Sequence, residues 1–446
     1  MKKLILLTFL TLAVTAQSQE VKSLTLKEAI NYALENKADA KKAKLKVENS
    51  EYQIQEVRSR ALPQISANGS LTYNPILQTT VIDGASFGSP GTSIQAVFGQ
   101  KWGSTAGISL TQNLFDQSVF TGLKAAKTTR EFYLINEQLT EEQVIERVAN
   151  NYYAVYVQRQ NLTVLDSTFN NTTKVKNIIK GQYDNGLAKK IDLDRILVKI
   201  SNIDTQRQQV LNAVQLQENA LKFYMGMPIA TVIEIPQAEF EVTPQAFAEA
   251  PNTEIRTEYL LMKKQEQLLE FQKQSIMAAY YPTLSLSAGY NYIGQGPKMP
   301  WGAKPSDGVY WSDYSAIGLN LSVPIFSGFS TRSKIRQADV DLRSIKEDLV
   351  DTKLSLDLAF ANAKTQIDNS VITIKNQKSN VQLAQEVLDN TKNNYIQGLT
   401  SLTDLLDAEN AFTEAQNNYT AAVLDYKLAE IQLIKSKGEL KTLINN

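Results

Sequence analysis

Leu284-Ser285-Leu286-Ser287-Ala288-Gly289-Tyr290-Asn291-Tyr292 puts apolar side chains on its even positions and small or polar ones between them. A period of two held over about nine residues marks a strand with one dry and one wet face. Segments 65–73, 106–114 and 317–325 repeat the pattern, with Gln112 the exception. Their polar faces are Ser, Thr, Asn and Gly, almost free of charge. Such strands suit a wall with lipid on one side and water on the other, where about 9–11 residues suffice. A soluble sandwich is the alternative that the strands alone leave open. Tyr73, Trp102, Tyr290, Tyr292 and Trp311 lie at or beside strand ends, where girdle residues sit at a membrane interface.

Outward from the strands, proline divides the chain. None occurs between Pro90 and Pro228 or after Pro324, so those long stretches read as helix. The two halves align: Pro63 with Pro282, Gly107 with Gly318, Phe115 with Phe326, Tyr183 with Tyr395, and Gly226 with Gly438. The first half carries about eight extra residues in its strand-connecting loop, 75–104, within an otherwise repeated unit. The first repeat is expected over 17–227: a helix, strand pair 63–116, long helix 118–183, tip 183–192 and return helix 192–226. A linker, 228–252, leads to a second repeat over 253–446: a helix, strand pair 282–327, long helix 330–395, tip 395–404 and return helix 404–440.

Ile335, Leu342, Leu349, Leu356 and Ala363 keep a seven-residue spacing. After a four-residue step, Ile367, Ile374, Val381, Leu388 and Tyr395 resume it, and such a stutter locally unwinds a coiled coil. A continuous helix here would be roughly 98 Å long at 1.5 Å per residue. The periodicity alone also fits a rod or spacer. The fold class is therefore mixed: long α-helical coiled coil plus four membrane strands per chain, duplicated internally.

Composition narrows the function. Among 446 residues, 46 Lys and Arg balance 46 Asp and Glu, so no basic field exists to hold nucleic acid. Cysteine and histidine are both absent, which removes thiolate and imidazole chemistry, and with it the usual metal centres and catalytic triads. No enzyme activity, cofactor or metal is expected. Met1-Lys2-Lys3 and the apolar run after it read as a secretory signal cut after Ala16, giving a 1–16 leader. No cysteine follows, so no thioether-linked lipid anchor is expected. No stretch approaches a spanning helix, so a membrane-spanning form must be a β-barrel.

Two segments interrupt the helices at matching places: Tyr183-Asp184-Asn185-Gly186-Leu187 and Tyr395-Ile396-Gln397-Gly398-Leu399. Each offers Gly at a helix C-terminus, and an acidic residue, Asp192 or Asp404, opens the next helix. Ser401 and Asp404 also fit a capping box.

The second tip, Tyr-x-x-Gly-Leu-x-x-x-x-Asp-Leu-Leu-Asp-Ala-Glu-Asn ending at Asn410, resembles the tip motif of the TolC-like outer-membrane efflux ducts. Leu221-Lys222-Phe223-Tyr224-Met225-Gly226-Met227-Pro228 resembles the end of that family's return helix. The resemblance implies a homotrimer whose four strands per chain close one twelve-stranded barrel in the outer membrane of a Gram-negative bacterium. It implies a helical tunnel crossing the periplasm, a periplasmic adaptor protein, and an inner-membrane pump of the RND or ABC type. Tyr183, Gly186, Asp192, Tyr395, Gly398, Asp404 and Asp407 fall on gate and tip positions, and Leu187 and Leu399 on adaptor contacts. Asp404 and Asp407 match aperture-ring carboxylates that attract cations, although helix capping explains them equally well. Tyr395 and Asp192 match linking positions. The basic linking residue of some members falls on Thr400, a departure from the family pattern. The expected role is a passive exit duct for efflux or type I secretion; the alternative is a structural, adhesin-like coiled coil of the cell envelope.

Overall fold

The computed structural model describes residues 22–83, 85, 88, 91–236 and 252–445. The expected leader over 1–16, and residues 237–251 of the expected linker, lie outside the described residues. In chain order the elements are β1 (Lys22–Ser23), α1 (Leu26–Asn36), α2 (Ala38–Ser59), β2 (Gln64–Tyr73), β3 (Thr79–Asp83), β4 (Ser93–Val97) and β5 (Trp102–Phe115). There follow α3 (Gln117–Asp184), α4 (Lys190–Met225), β6 (Ile233–Glu234), α5 (Thr257–Met277), β7 (Thr283–Gly296) and β8 (Tyr310–Ser322). The chain ends with α6 (Ser330–Ile396), α7 (Leu402–Lys437) and α8 (Thr442–Asn445). It divides into two compact units, one of Glu48–Phe132 and Lys264–Lys346, the other of the remaining described residues.

In the first unit, β2, β5, β7 and β8 form an antiparallel sheet in that order. Its register sorts side chains by polarity. Ile65, Leu110, Ala288 and Ile317 stand in one cross-strand row, and Gln64, Thr111, Ser287 and Gly318 form the next on the opposite face. Because neighbouring residues point to opposite faces, the alternation becomes one continuous apolar face across four strands. That face is bare: Ile317, Leu319 and Leu321 are 82, 66 and 68 % exposed. The polar face is internally hydrogen-bonded, with Ser66 and Ser109 hydroxyls 2.8 Å apart and Asn320 Nδ2 donating to Ser287 Oγ at 3.0 Å. The outer edges of β2 and β8 have no strand partner among the described residues.

In the second unit, a core gathers Ala29, Ile30 and Ala33 of α1, Ile145 and Val148 of α3, Leu221 of α4, Ile233 of β6 and Ile431 of α7. Farther along, α6 and α7 zip through Ala363, Ile367 and Ile374 against Ala422, Tyr426, Ala429 and Leu433. From Leu349 to Tyr395, every residue of the heptad series is buried or half-buried. A second apolar line on α6 is not. Val350, Leu354, Leu358, Ile372, Leu383 and Val387 are each more than half exposed. At 3.6 residues per turn they fall within roughly 100° of arc, about opposite the buried seam. Among the described residues, nothing covers this line.

Several boundaries differ from the sequence reading. The segment expected at 317–325 is β8, which starts at Tyr310 and stops at Ser322. Aromatics on both faces from Tyr310 to Tyr314 hide the alternation there, and Pro324 lacks the N–H that would extend the ladder. The loop expected at 75–104 holds the β3–β4 hairpin and the start of β5. The helix expected before the first strands is broken at Lys37, whose extended backbone ends α1. Residues 233–234, expected as linker, pair in parallel with β1.

No helix among the described residues is long and apolar enough to cross a membrane. The bare face of the sheet carries the membrane reading. Leu319→Arg or Leu321→Arg is expected to cost about 2–4 kcal/mol near a bilayer midplane, whereas Asn320→Arg, on the polar face, is expected to be tolerated. Recovery of each variant in a carbonate-washed membrane fraction checks this; equal loss for all three would mean the faces are equivalent, and loss of Asn320→Arg alone that they are reversed.

Candidate functional site: helix tips and aromatic girdle

Both tips are built by the same backbone device. Gly186 and Gly398 have φ of 76° and 73°, a left-handed conformation that a side chain would strain. Leu187 N–H donates to Gln182 C=O at 2.8 Å and Gly186 N–H to Tyr183 C=O at 2.9 Å. In the second tip, Leu399 N–H donates to Asn394 C=O at 2.9 Å and Gly398 N–H to Tyr395 C=O at 3.0 Å. This pair of bonds is the Schellman cap, which satisfies the last carbonyls of α3 and α6 and turns the chain back. Gly226 and Gly438 close α4 and α7 in the same left-handed conformation.

The tips are held together by Val175 and Ile179 of α3, Ile196 of α4, and Leu402 and Leu405 of α7, with Tyr395 half-buried against them. The two tip tyrosines, matched in sequence, thus part company, since Tyr183 remains exposed. Burial raises the Tyr395 phenol above its usual range, and the nearby Asp192 carboxylate adds to the shift. Asp192 also lies 3.8 Å from Arg195, which donates to Thr403 Oγ1 at 3.1 Å and so ties α4 to α7. The expected linking pair, Tyr395 and Asp192, is therefore brought close within one chain. Leu187 and Leu399 are among the most exposed apolar residues of the tips.

Asp404 and Asp407 behave differently. Asp404 Oδ2 accepts from Thr400 Oγ1 at 2.8 Å, Ser401 Oγ at 2.7 Å and Ser401 N–H at 3.0 Å, and Ser401 Oγ in turn accepts from the Asp404 amide. These bonds, first the Ser401 and Thr400 hydroxyls, hold the Asp404 carboxyl below the usual carboxylate range. Thr400 serves the cap. Asp407 is exposed on the next turn. The first tip has no such cap: Lys189 precedes α4 without a side-chain bond.

At one end of the sheet, Tyr73, Trp102, Tyr290, Tyr292 and Trp311 share its apolar face, while Tyr310 and Tyr314 stand on the other. Tyr73 and Trp102 face each other with ring centroids 4.6 Å apart, and Tyr292 stacks on Trp311 at 4.8 Å. Gly294 makes room for Trp311, because a Cβ there would lie 2.6 Å from the indole. Tyr290 donates its hydroxyl to Asp313 at 3.0 Å. Trp301, outside the expected girdle, donates its indole N–H to Ser104 Oγ at 2.7 Å. Its place in an irregular loop gave no sequence signal for that contact.

A four-stranded sheet with a bare apolar face and an aromatic end, in a chain of paired helices two-thirds of a hundred residues long, defines a membrane protein of the β-strand class. The profile of the family described as outer membrane efflux protein matches residues 29–227 and 262–439. The chain belongs to that family. It is 24 % identical over 348 residues to the outer membrane protein TolC of Vibrio cholerae, spanning 75 % of this chain and 77 % of that protein. The TolC protein of Escherichia coli is 24 % identical over 412 residues, spanning 87 % of this chain and 76 % of its own. The crystal structure of the outer membrane protein VceC from Vibrio cholerae superposes with a TM-score of 0.72 at 16 % identity, covering 93 % of this chain and 96 % of that one.

The Asp404 bonds generate a test. Asp404→Ala is expected to speed amide exchange at Leu402, Thr403 and Leu405, and Asp407→Ala to leave it unchanged, as read by hydrogen-exchange mass spectrometry. Because the carboxyl is held low in the folded tip, the cap is intact above the free carboxylate value of about 3.9 and is lost as pH falls through the lowered one. Corrected for the intrinsic exchange rate, protection of these amides in the wild type should therefore fall only in that acid range.

Proposed function

We propose that three copies of this chain close their sheets into one twelve-stranded barrel and that their long helices line a passive exit duct, energised by an inner-membrane RND- or ABC-type pump through a periplasmic adaptor. The observation that carries this reading is the four-stranded sheet with one bare apolar face and two open edges. Lipid cannot satisfy the backbone groups of an open edge, and four strands are too few to close a barrel. The exposed apolar line on α6 supplies a second surface for a neighbouring copy. The matched Schellman caps and the 68- and 67-residue long helices support an internal duplication. An adhesin-like coiled coil leaves the bare sheet face unexplained.

In this reading the leader is removed and the mature chain carries no lipid. Tyr73, Trp102, Tyr290, Tyr292 and Trp311 form an interfacial girdle, Leu187 and Leu399 meet the adaptor, and Tyr395 with Asp192 holds the tip. Asp404 serves mainly as a cap, which leaves Asp407 as the freer ring carboxylate.

Crosslinking of the outer-membrane fraction is expected to give a product of three chains; a soluble monomer would overturn the proposal. In planar bilayers, a trivalent cation added on the tip side is expected to block conductance. Asp407→Asn should weaken that block by orders of magnitude without loss of trimer, since like charges converging on a narrow mouth concentrate cations. Block unchanged in that variant would return Asp407 to an ordinary helix surface.

A further inference from the structure

Within one helical turn, the apolar cluster behind the tip gives way to a polar layer. Thr172 stands three residues before Val175 on α3, Lys199 three after Ile196 on α4, and Glu409 four after Leu405 on α7, each on the face its helix turns to the cluster. Glu409 is only 8 % exposed and Thr172 is wholly buried. Glu409 Oε2 lies 3.3 Å from Thr172 Oγ1. One layer on, the hydroxyls of Thr168 and Thr413 are 3.5 Å apart.

The protons of this layer are already committed. Thr172 Oγ1 sits 2.8 Å from the Thr168 carbonyl, closer than it is to Glu409, and Thr413 and Thr168 likewise bond back to carbonyls four residues earlier. A hydroxyl has one proton and two lone pairs; the Thr172 hydroxyl reaches both the Thr168 carbonyl and Glu409 Oε2, and when its proton goes to the nearer carbonyl it faces Glu409 with a lone pair. An ionised carboxylate offers only acceptors and would meet an acceptor; a protonated one has the donor the geometry lacks. Two cations face Glu409, Lys199 from α4 and Lys392 from α6. Neither makes a direct ion pair with it among the described residues, and Lys199 instead donates to Asn410 Oδ1. From α3 the Thr172 hydroxyl faces Glu409, and on its own helix the Thr413 hydroxyl bonds to the Glu409 backbone carbonyl.

We propose that Glu409 is a positioning residue of the tip: as a neutral carboxyl it donates to Thr172 and pins α7 in register on the α3–α4 hairpin, and on ionisation it lets the two hairpins part. The proposal rests on the reading of the tip as the closable end of a duct. A lone polar layer in an apolar helix seam costs stability but fixes register, as buried polar residues do in coiled coils. Burial raises the Glu409 pKa and outweighs the two lysines and a Thr172 hydrogen bond, which lowers it when the hydroxyl donates to the carboxylate. The sign follows. A raised carboxyl favours the packed tip below the free value of about 4.3 and loses that contribution as pH climbs through the raised one. Acid tightens the tip, and neutral to alkaline pH loosens it.

The test uses the full chain in planar bilayers between pH 4.5 and 8. Wild-type open fraction is expected to rise with pH by at most about tenfold per unit for each Glu409 that titrates, so by at most about a thousandfold if the three copies of the proposed duct open together. Glu409→Gln, of the same shape and with a permanent donor, should stay closed and be flat with pH. Thr172→Val, which removes the acceptor, should move the wild-type rise to lower pH. A Glu409→Gln profile that tracks wild type overturns the proposal. If no variant conducts, the duct reading fails, and exchange at amides 402–413 decides on Glu409: faster at pH 8 than at pH 5 beyond the intrinsic rate in wild type but not in Glu409→Gln supports it, and equal ratios refute it.

Discussion

A peptide group in hydrocarbon has no water to fall back on. Each unpaired N–H or C=O costs several kcal/mol by order of magnitude, so a strand edge in lipid must be joined to another strand. This constraint reaches far beyond the sheet. It demands that the polar alternation keep one register over four strands, because a slip of one residue would turn every apolar row inward. The rows through Ile65, Leu110, Ala288 and Ile317 meet that demand. In the proposed trimer, neighbouring copies would satisfy the constraint at the edges of β2 and β8 and would also cover the exposed apolar line on α6.

The helices solve a different problem. A helix packed on one side needs one apolar stripe, but α6 carries two on nearly opposite sides. Its buried seam follows a seven-residue repeat, and such a repeat winds helices around each other with little penalty over great length. Uniform seams of this kind can slide by a heptad. The Thr172–Glu409 layer and the Arg195 bond to Thr403 break the uniformity near the tip, where axial position matters most.

Much of this was legible in the residues themselves. The strand faces were plain because Ser, Thr and Asn alternate with Leu and Ile, and the seam was plain because Leu349, Ala363 and Ile374 recur on schedule. The tips were legible because only glycine takes the left-handed position at low cost. What escaped notice has physical reasons. The β3–β4 hairpin has only five residues in each strand, so its alternation covers too few residues to register. The start of β8 is masked by aromatics on both faces. Glu409 occupies a seam position after Leu402 and Leu405, a signal present in the spacing but concealed by its charge, which ordinarily marks a solvated face. The Ser401–Asp404 capping box was legible in its spacing, but that Thr400 joins it while Asp407 stays outside needed the hydroxyl positions, which spacing does not supply.

The unequal starts of α4 and α7 have a mechanical meaning. One return helix is clasped at its first turn by a reciprocal pair of side-chain bonds, whereas the other begins at Lys189 with none. Under a pull applied to the tips, compliance is therefore concentrated in the α3–α4 turn, and the α6–α7 turn acts as the stiff lever. A partner that grips both turns with equal force will deform one and move the other as a body.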